Sequence, residues 1–483
     1  MEKQLKCVLL LSLKEMCLRK LAVNLWSSSD IVASIWKIEA FTYVTEDWRE
    51  ICEDRMKEKV TKLELPKALT KQMIDIVHPI GTEIRRWKMI LKNSFSVSSA
   101  SPAKIYFTAT GLINYQKTVE ELLRCDKLDV VQRYDLACAF CMEDYISVLW
   151  EELPETKKEV YGDKNNMSPE LSFCWPHILK KEPSKLDSLL RSSDRNLTSF
   201  NQYAFEYSVI RFNKTAAEYF LQKLTTDERK VSLMRTATAV VTWTWTTWIS
   251  FNFPLENTST VFFYLLSLMP PEQKMKIFKD HPIEIAVRFL DWPWQVLFLE
   301  NVELLWTFLR PKNYVWLLYE MAFKLWYSDR YSAKLFRDFF IQSPAKLKKC
   351  FAGQDSMNAR YLADRFVFIF FKFEDKECIE LIFRNVDAGD GAKIVFRSSI
   401  LHLLYKNIMI YKWRLVKVCL REAMLSKNDR KKLKTAFMEL IITLGRLSNR
   451  KFLVDKLEKF FKFLGETGSG KIVKSAAQSN KLC

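Results

Sequence analysis

Residues Tyr203 to Leu233 read YAFEYSVIRFNKTAAEYFLQKLTTDERKVSL, and this stretch decides the fold. Ala204, Tyr207, Ser208, Ile210 and Arg211 recur at the 3.6-residue period of one helix. Ala216, Tyr219, Phe220, Lys223 and Leu224 do so for a second, expected to end at Leu224. Phe212-Asn213 separates the two, and asparagine both tolerates turns and caps helix N-termini. Thr225-Thr226-Asp227-Glu228 has the spacing of a capping box and predicts the start of a third helix. Helices this short are unstable alone, because nucleation is costly below roughly 12–15 residues. Their apolar faces must be covered by neighbours.

Similar pairs recur. YDLACAFCMEDYISVLWEELP at 134–154 places Glu143-Asp144 in the turn role of Asn213 and ends at Pro154. VFFYLLSLMPPEQKMKIF, VLFLENVELLWTFLRPKNYVWLL, FIFFKFEDKECIELIFRNV, LVKVCLREAMLSKNDRKKL and RKFLVDKLEKFFKFLGE follow downstream. Matching the ends of the second helices gives Leu153, Leu224, Leu268, Leu309, Phe383, Met424 and Leu464, at intervals of 71, 44, 41, 74, 41 and 40 residues. Two gaps read as doubled units, and a period near 35–44 residues belongs to helix-pair solenoids. The elements LACAFCMEDYISVLWEEL at 136–153 and YSVIRFNKTAAEYFLQKL at 207–224 resemble the second half of an ankyrin repeat. The chain is similar in this respect to the uncharacterised ankyrin-like α-helical repeat proteins expanded in arachnids, although it lacks the T-P-L-H opening and glycine-rich hairpins of true ankyrin repeats. The resemblance implies protein binding through a concave surface and no enzymatic activity.

Composition agrees with an all-α chain. Ten glycines and 14 prolines in 483 residues are too few for a sheet-rich protein with many tight turns. Five segments are expected: a helical region 1–104 ending in the serine-rich linker 92–104, first repeats over 105–153, and an irregular connection over 154–200. The repeat solenoid covers 201–464 and a tail 465–483. Leu65-Pro66 opens a helix expected to be interrupted near His78-Pro79-Ile80-Gly81. The N-terminal apolar run Cys7 to Leu13 is short and bounded by Lys6 and Lys14, so it reads as an amphipathic helix, with Leu9, Leu13, Met16, Leu21, Leu25 and Trp26 on helix faces. Eleven cysteines without framework spacing point to a reducing cytoplasm or nucleus. The triplets at Asn196, Asn213 and Asn257 then have no glycosylation role. Thr236 to Leu255 is 20 residues without a charge, but its six threonines, Asn252 and Pro254 favour a buried helix over membrane insertion.

Motifs for chemistry are weak. Gly465-Glu-Thr-Gly-Ser-Gly-Lys471 suggests a phosphate loop, but Ile472 replaces the hydroxyl residue and a helix precedes it, so Gly465 reads as a helix stop. Cys138-Ala-Phe-Cys141 has redox or zinc spacing without a second pair, and reads as two buried thiols. His78, His177, His281 and His402 form no metal motif, and His78-Pro79 and His281-Pro282 look like helix starts. Trp292, Trp294, Trp306, Trp316 and Trp326 fit core packing better than an aromatic surface. No catalytic, cofactor-binding or metal residue is assigned.

Charge is the informative feature. From Gly391 to Cys483, 21 Lys and Arg stand against 6 Asp and Glu, which holds +15 of the chain's net +18. Lys427, Arg430, Lys431, Lys432 and Lys434 crowd one helix start, and Arg446, Arg450 and Lys451 the next. These eight are the candidate partner-binding residues. The expectation is an α-solenoid of ankyrin-like helix-turn-helix pairs, acting as a non-enzymatic protein-binding scaffold. The rival is binding of nucleic acid or another anionic surface through 391–483.

Overall fold

The computed structural model describes residues 5–38, 46–97, 104–125, 127–163, 170–182, 186, 197–243, 255–327, 333–352, 357–386, 388–410, 412–443 and 450–465. These residues form 28 α-helices and no β-strand, with a single antiparallel bridge between Phe107 and Ile113. The chain divides into two compact units, Met1–Asn301 and Val302–Cys483.

The organising stretch folds as a helical hairpin. Helices Phe200–Ile210 and Lys214–Leu221 are separated by Arg211, Phe212 and Asn213, and Asn213 caps the second through an Ala216 N–H bond of 3.0 Å. That helix stops at Leu221, one turn before Leu224, because the guanidinium of Arg229 takes the Leu221 carbonyl at 3.0 Å. The Thr225–Glu228 capping box is present and opens the helix Thr226–Thr242.

One turn geometry recurs in both units. The Asn213 N–H closes back on the Ser208 carbonyl at 2.8 Å, and Met142 does the same to Ala137, Asp375 to Phe370 and Lys412 to Asn407, each at 2.9 Å. This is the bond that satisfies a helix's last carbonyls when the residue before it turns left-handed. Cys141, Phe212 and Glu374 accordingly have φ of 53°, 54° and 55°. The donor residue is in each case the N-cap of the next helix, starting at Glu143, Lys214, Lys376 and Trp413. In the 134–154 pair the turn therefore sits at Cys141-Met142, and Glu143-Asp144 form the first helical turn, where the helix dipole favours acids.

The first unit corrects the expected break at His78–Gly81. Lys67–Phe95 is one helix with Pro79 inside it, so the linker expected from 92 begins only after Phe95. Met73, Val77, Ile80, Ile84 and Trp87 make a continuous buried stripe, and this packing outweighs the roughly 3 kcal/mol that proline costs a helix. Trp26 seals the proline turn, its indole N–H donating to the Val77 carbonyl at 2.8 Å while the ring stacks on Trp48. It fits because position 81 is glycine: a Cβ there would lie 2.3 Å from Trp26 Cζ2. The buried Arg288 guanidinium closes the Thr226–Thr242 helix, donating to the carbonyls of Val240 at 3.0 Å and Trp243 at 2.7 Å. Thr236, Ala237, Val240 and Val241 of the uncharged run are buried, and its residues 244–254 lie outside the described ones. No helix among the described residues is long and apolar enough to cross a membrane.

In the second unit several helices pack on the one three helices further on. Pro311–Tyr327 contacts Met357–Lys372, which contacts Ser398–Met409. Lys334–Gln342 contacts Lys376–Arg384, which contacts Trp413–Glu422, and Ala345–Ala352 contacts Ala388–Val395. Ion pairs follow the second row, from Arg337 to Glu377 and from Arg384 to Glu422 at 2.7 Å.

Gly81→Ala will lower the melting temperature despite alanine's higher helix propensity, at a cost of about 1–3 kcal/mol for displacing Trp26. Thermal unfolding followed by circular dichroism reads it. A second test concerns Glu228. Partial burial raises its pKa, but bonds from Ser199, the Thr225 backbone, Thr198 and the Thr225 hydroxyl outweigh this and hold it at about 2. A folded pKa below the usual Glu value of 4.5 gives stability that is present above 4.5 and lost as pH falls towards 2. Glu228→Gln should therefore melt lower than the parent at neutral pH, and the gap should close on acidification.

Candidate binding surface

The basic region of the second unit is built on two consecutive helices. Trp413–Glu422 buries Leu415, Val416, Val418, Cys419 and Leu420, which turns Arg414, Lys417 and Arg421 outward at i, i+3 and i+7. Ser426 and Asp429 then cap the helix Lys427–Thr443 reciprocally, each side chain reaching the other's N–H at 3.1 Å. Lys427, Arg430, Lys431 and Lys432 are exposed in its first two turns and make no ion pair among the described residues. Of these only Lys427 lies in the first turn, where positive charge opposes the dipole by about 0.3–1 kcal/mol, and Asp429 in the same turn offsets it.

Lys434 does not belong to this surface. It is only 9% exposed, on the buried face with Leu433, Phe437 and Ile441, and its ammonium lies 5.1 Å from the Phe461 ring centre. Its stem covers apolar surface while the charge rests on the ring. Arg446 lies outside the described residues. Arg450 and Lys451 begin the helix Arg450–Phe463, and their side chains lie outside the described ones. Other cations of the region are engaged: Lys393 with Asp390 and Arg397 with Asp364 at 2.8 Å, Lys412 with Glu374, and buried Lys456 on the Met409 carbonyl.

A groove of about 780 Å³ lies between Gly389–Arg397 and the helix Lys427–Thr443. Ala392, Phe396 and Ala436 give it apolar lining. Lys393, Arg397 and Lys432 supply positive charge, and Asp429 and Glu439 negative. Of the sequence candidates only Lys432 lines it. Phe396, Lys393 and Arg397 escaped the sequence reading, although Lys393 and Arg397 have the i, i+4 spacing of one helix face. The stripe Arg414, Lys417 and Arg421 escaped it too, though its spacing opposite an apolar face was a usable signal.

The other candidates are structural. Cys138 and Cys141 are buried free thiols, pushed well above their ordinary pKa by burial, and burial takes Cys174 up to about 12. No cluster of three His, Cys, Asp or Glu suited to a metal occurs among the described residues. His78 is buried inside its helix rather than starting one, whereas His281 precedes a helix with Pro282 at its first position. His177 is buried with Nδ1 3.4 Å from Glu182, and His402 bonds the Ser398 carbonyl of its own helix. Asn213 and Asn257 are helix N-caps, and Asn196 lies outside the described residues. Gly465 has φ of 80° after the helix ending at Phe463, the expected stop, and the rest of the Gly465–Lys471 motif lies outside the described residues. Trp292 and Trp294 are half-buried, Trp294 with its ring 4.5 Å from Phe263. Trp306 stacks on Phe339 at 5.0 Å, Trp316 is 51% exposed beside Tyr319, and the Trp326 side chain lies outside the described ones.

The sequence matches no protein-family model, and no curated protein sequence resembles it significantly.

Lys427 and Lys434 should respond oppositely to substitution. Lys427→Glu is expected to raise stability by about 0.3–1 kcal/mol, by placing an acid in the helix's first turn, where the dipole favours one. Lys434→Glu should destabilise by several kcal/mol, by placing an anion in a buried site against an aromatic face. Urea unfolding midpoints check both.

Proposed function

We propose that this protein is a non-enzymatic helical-repeat scaffold that binds protein partners. The observation that carries this reading is the regular packing of the second unit, in which three rows of helices stack on counterparts three helices along. Stacked repeats of this kind bury a continuous core and leave one elongated surface free for partners. The recurrent left-handed turn at 141, 212 and 374 supports the same reading, because it is one helix-turn-helix unit used repeatedly. In this view the chain is an α-solenoid in which each ankyrin-like helix pair is followed by a third helix, the groove along Lys427–Thr443 is where a partner seats, and the protein works inside the cell. The exposed set Lys427, Arg430, Lys431, Lys432, Arg414, Lys417 and Arg421 favours a second reading, the binding of nucleic acid or another polyanion.

Two variants separate the readings. Ala436→Trp fills the groove, and a chain carrying Ala at 427, 430 and 431, none of which lines the groove, removes exposed charge. The scaffold predicts defined proteins captured from extract in the presence of nuclease, lost with Ala436→Trp and retained by the charge variant. A polyanion binder predicts binding to RNA or DNA that weakens steeply with salt, with a slope reduced by about 0.9 for each phosphate contact removed.

A further inference from the structure

The start of the described chain carries an apolar surface that its own fold does not cover. Val8, Leu10, Leu13, Met16 and Leu21 are 59%, 84%, 77%, 44% and 38% exposed. Leu10 and Leu13 are the two most exposed large apolar side chains among the described residues. A capping box of Ser12 and Glu15 opens the helix Leu13–Trp26, and Leu18, Ala22 and Trp26 form its buried face at i, i+4 and i+8. Leu13, Met16, Cys17 and Leu21 occupy the opposite face by the same period. The amphipathic helix expected from Cys7 begins only at Leu13. The segment before the helix is fastened rather than loose. The Lys6 backbone N–H donates to Asn301 Oδ1 and Asn301 Nδ2 donates to the Lys6 carbonyl, both at 2.8 Å, while Leu5 and Cys7 are buried.

We infer that this face is a peripheral docking site for an anionic lipid surface. A contiguous exposed apolar patch marks an interaction site. The exposed charges set among its apolar groups select the partner. Lys14 and Lys20 are exposed on the helix, the Lys6 ammonium just before it is paired with Glu300 at 3.2 Å, and the one acid within the helix's first turn, Glu15, is held in the cap. Lysine is depleted from protein interfaces, which favour aromatic residues and arginine. From 8 to 21 there is no aromatic residue, and the one arginine, Arg19, is buried with its guanidinium on the Thr110 carbonyl. An anionic lipid surface complements the lysines and accepts the leucines into its acyl boundary. The inference is independent of the groove and of the scaffold reading.

The test is flotation of the full chain with phosphatidylcholine vesicles, with and without phosphatidylserine. The parent should float with the serine lipid and not without it. Leu10→Ser with Leu13→Ser should weaken that binding at least about tenfold, one leucine's burial being worth that much. The melting temperature should not change, since neither side chain packs inward. Lys14→Glu with Lys20→Glu should weaken binding to the anionic vesicles as well. A parent chain indifferent to the serine lipid overturns the inference. So does a leucine variant that still floats while the Ala variant at 427, 430 and 431 does not, which would place lipid contact elsewhere. A parent dimer that the leucine variant turns monomeric, without vesicle binding, would assign the face to a second copy.

Discussion

Carbonyl groups left unbonded at helix C-termini are the constraint on which this structure depends. Every α-helix has four, and this chain breaks into many short helices, so their number is large relative to its length. Two devices satisfy them. In one, a left-handed residue turns the chain so that the next helix's N-cap donates backwards, as at Phe212-Asn213 and Glu374-Asp375. In the other, a long basic side chain delivers its charge to the helix end. Arg288 does so for Thr226–Thr242, Arg229 for Lys214–Leu221, Lys348 for Lys334–Gln342 and Lys456 for Ser398–Met409. Lys88 reaches the Ile35 and Ile38 carbonyls at the end of Ser29–Lys37, where burial lowers its pKa to about 8.

The second device changes what the net charge means. A basic chain invites the conclusion that its charge faces a partner, yet part of this excess is directed inward. Lys456 and Lys434 contribute to the C-terminal +15 and are buried, one on a carbonyl and one on an aromatic ring. Arg397, Lys393 and Lys412 are matched to carboxylates. What stays exposed is a smaller set on Trp413–Glu422 and the first two turns of Lys427–Thr443.

The sequence disclosed features whose cause is local. Asn213, the Thr225–Glu228 box, Pro282 and Gly465 announce caps and stops that depend on a residue's own backbone preference or nearest donors. It misled where a distant side chain decides. The helix through Pro79 persists because Trp26, far away in sequence, fills the space above Gly81. The turn at Cys141-Met142 lacks the usual glycine, so nothing in its composition distinguishes it from the acidic pair that follows. Lys434 and Lys431 look equivalent in the run RKKLK, and only the position of Phe461 separates a buried cation from an exposed one. The groove brings together residues about forty positions apart, a relation that periodicity within one helix does not reveal. The division at Asn301 likewise has no glycine, proline or serine cluster to announce it.

Buried acidic groups in the first unit serve its packing. Asp135, raised to about 6 chiefly by burial, accepts from the Tyr161 hydroxyl at 2.9 Å. Glu256, raised to about 7 by burial, accepts from the Thr215 N–H at 3.1 Å beside the Asn213 turn. Glu206 joins Ser232 and Arg235 between the Phe200–Ile210 and Thr226–Thr242 helices. Each ties one helix to another, and all three belong to the first unit. The groove of the second unit is lined instead by Ala392, Phe396 and Ala436 with charged side chains of both signs. The raised pKa values of Asp135 and Glu256 therefore report carboxylates that packing in the first unit has withdrawn from water.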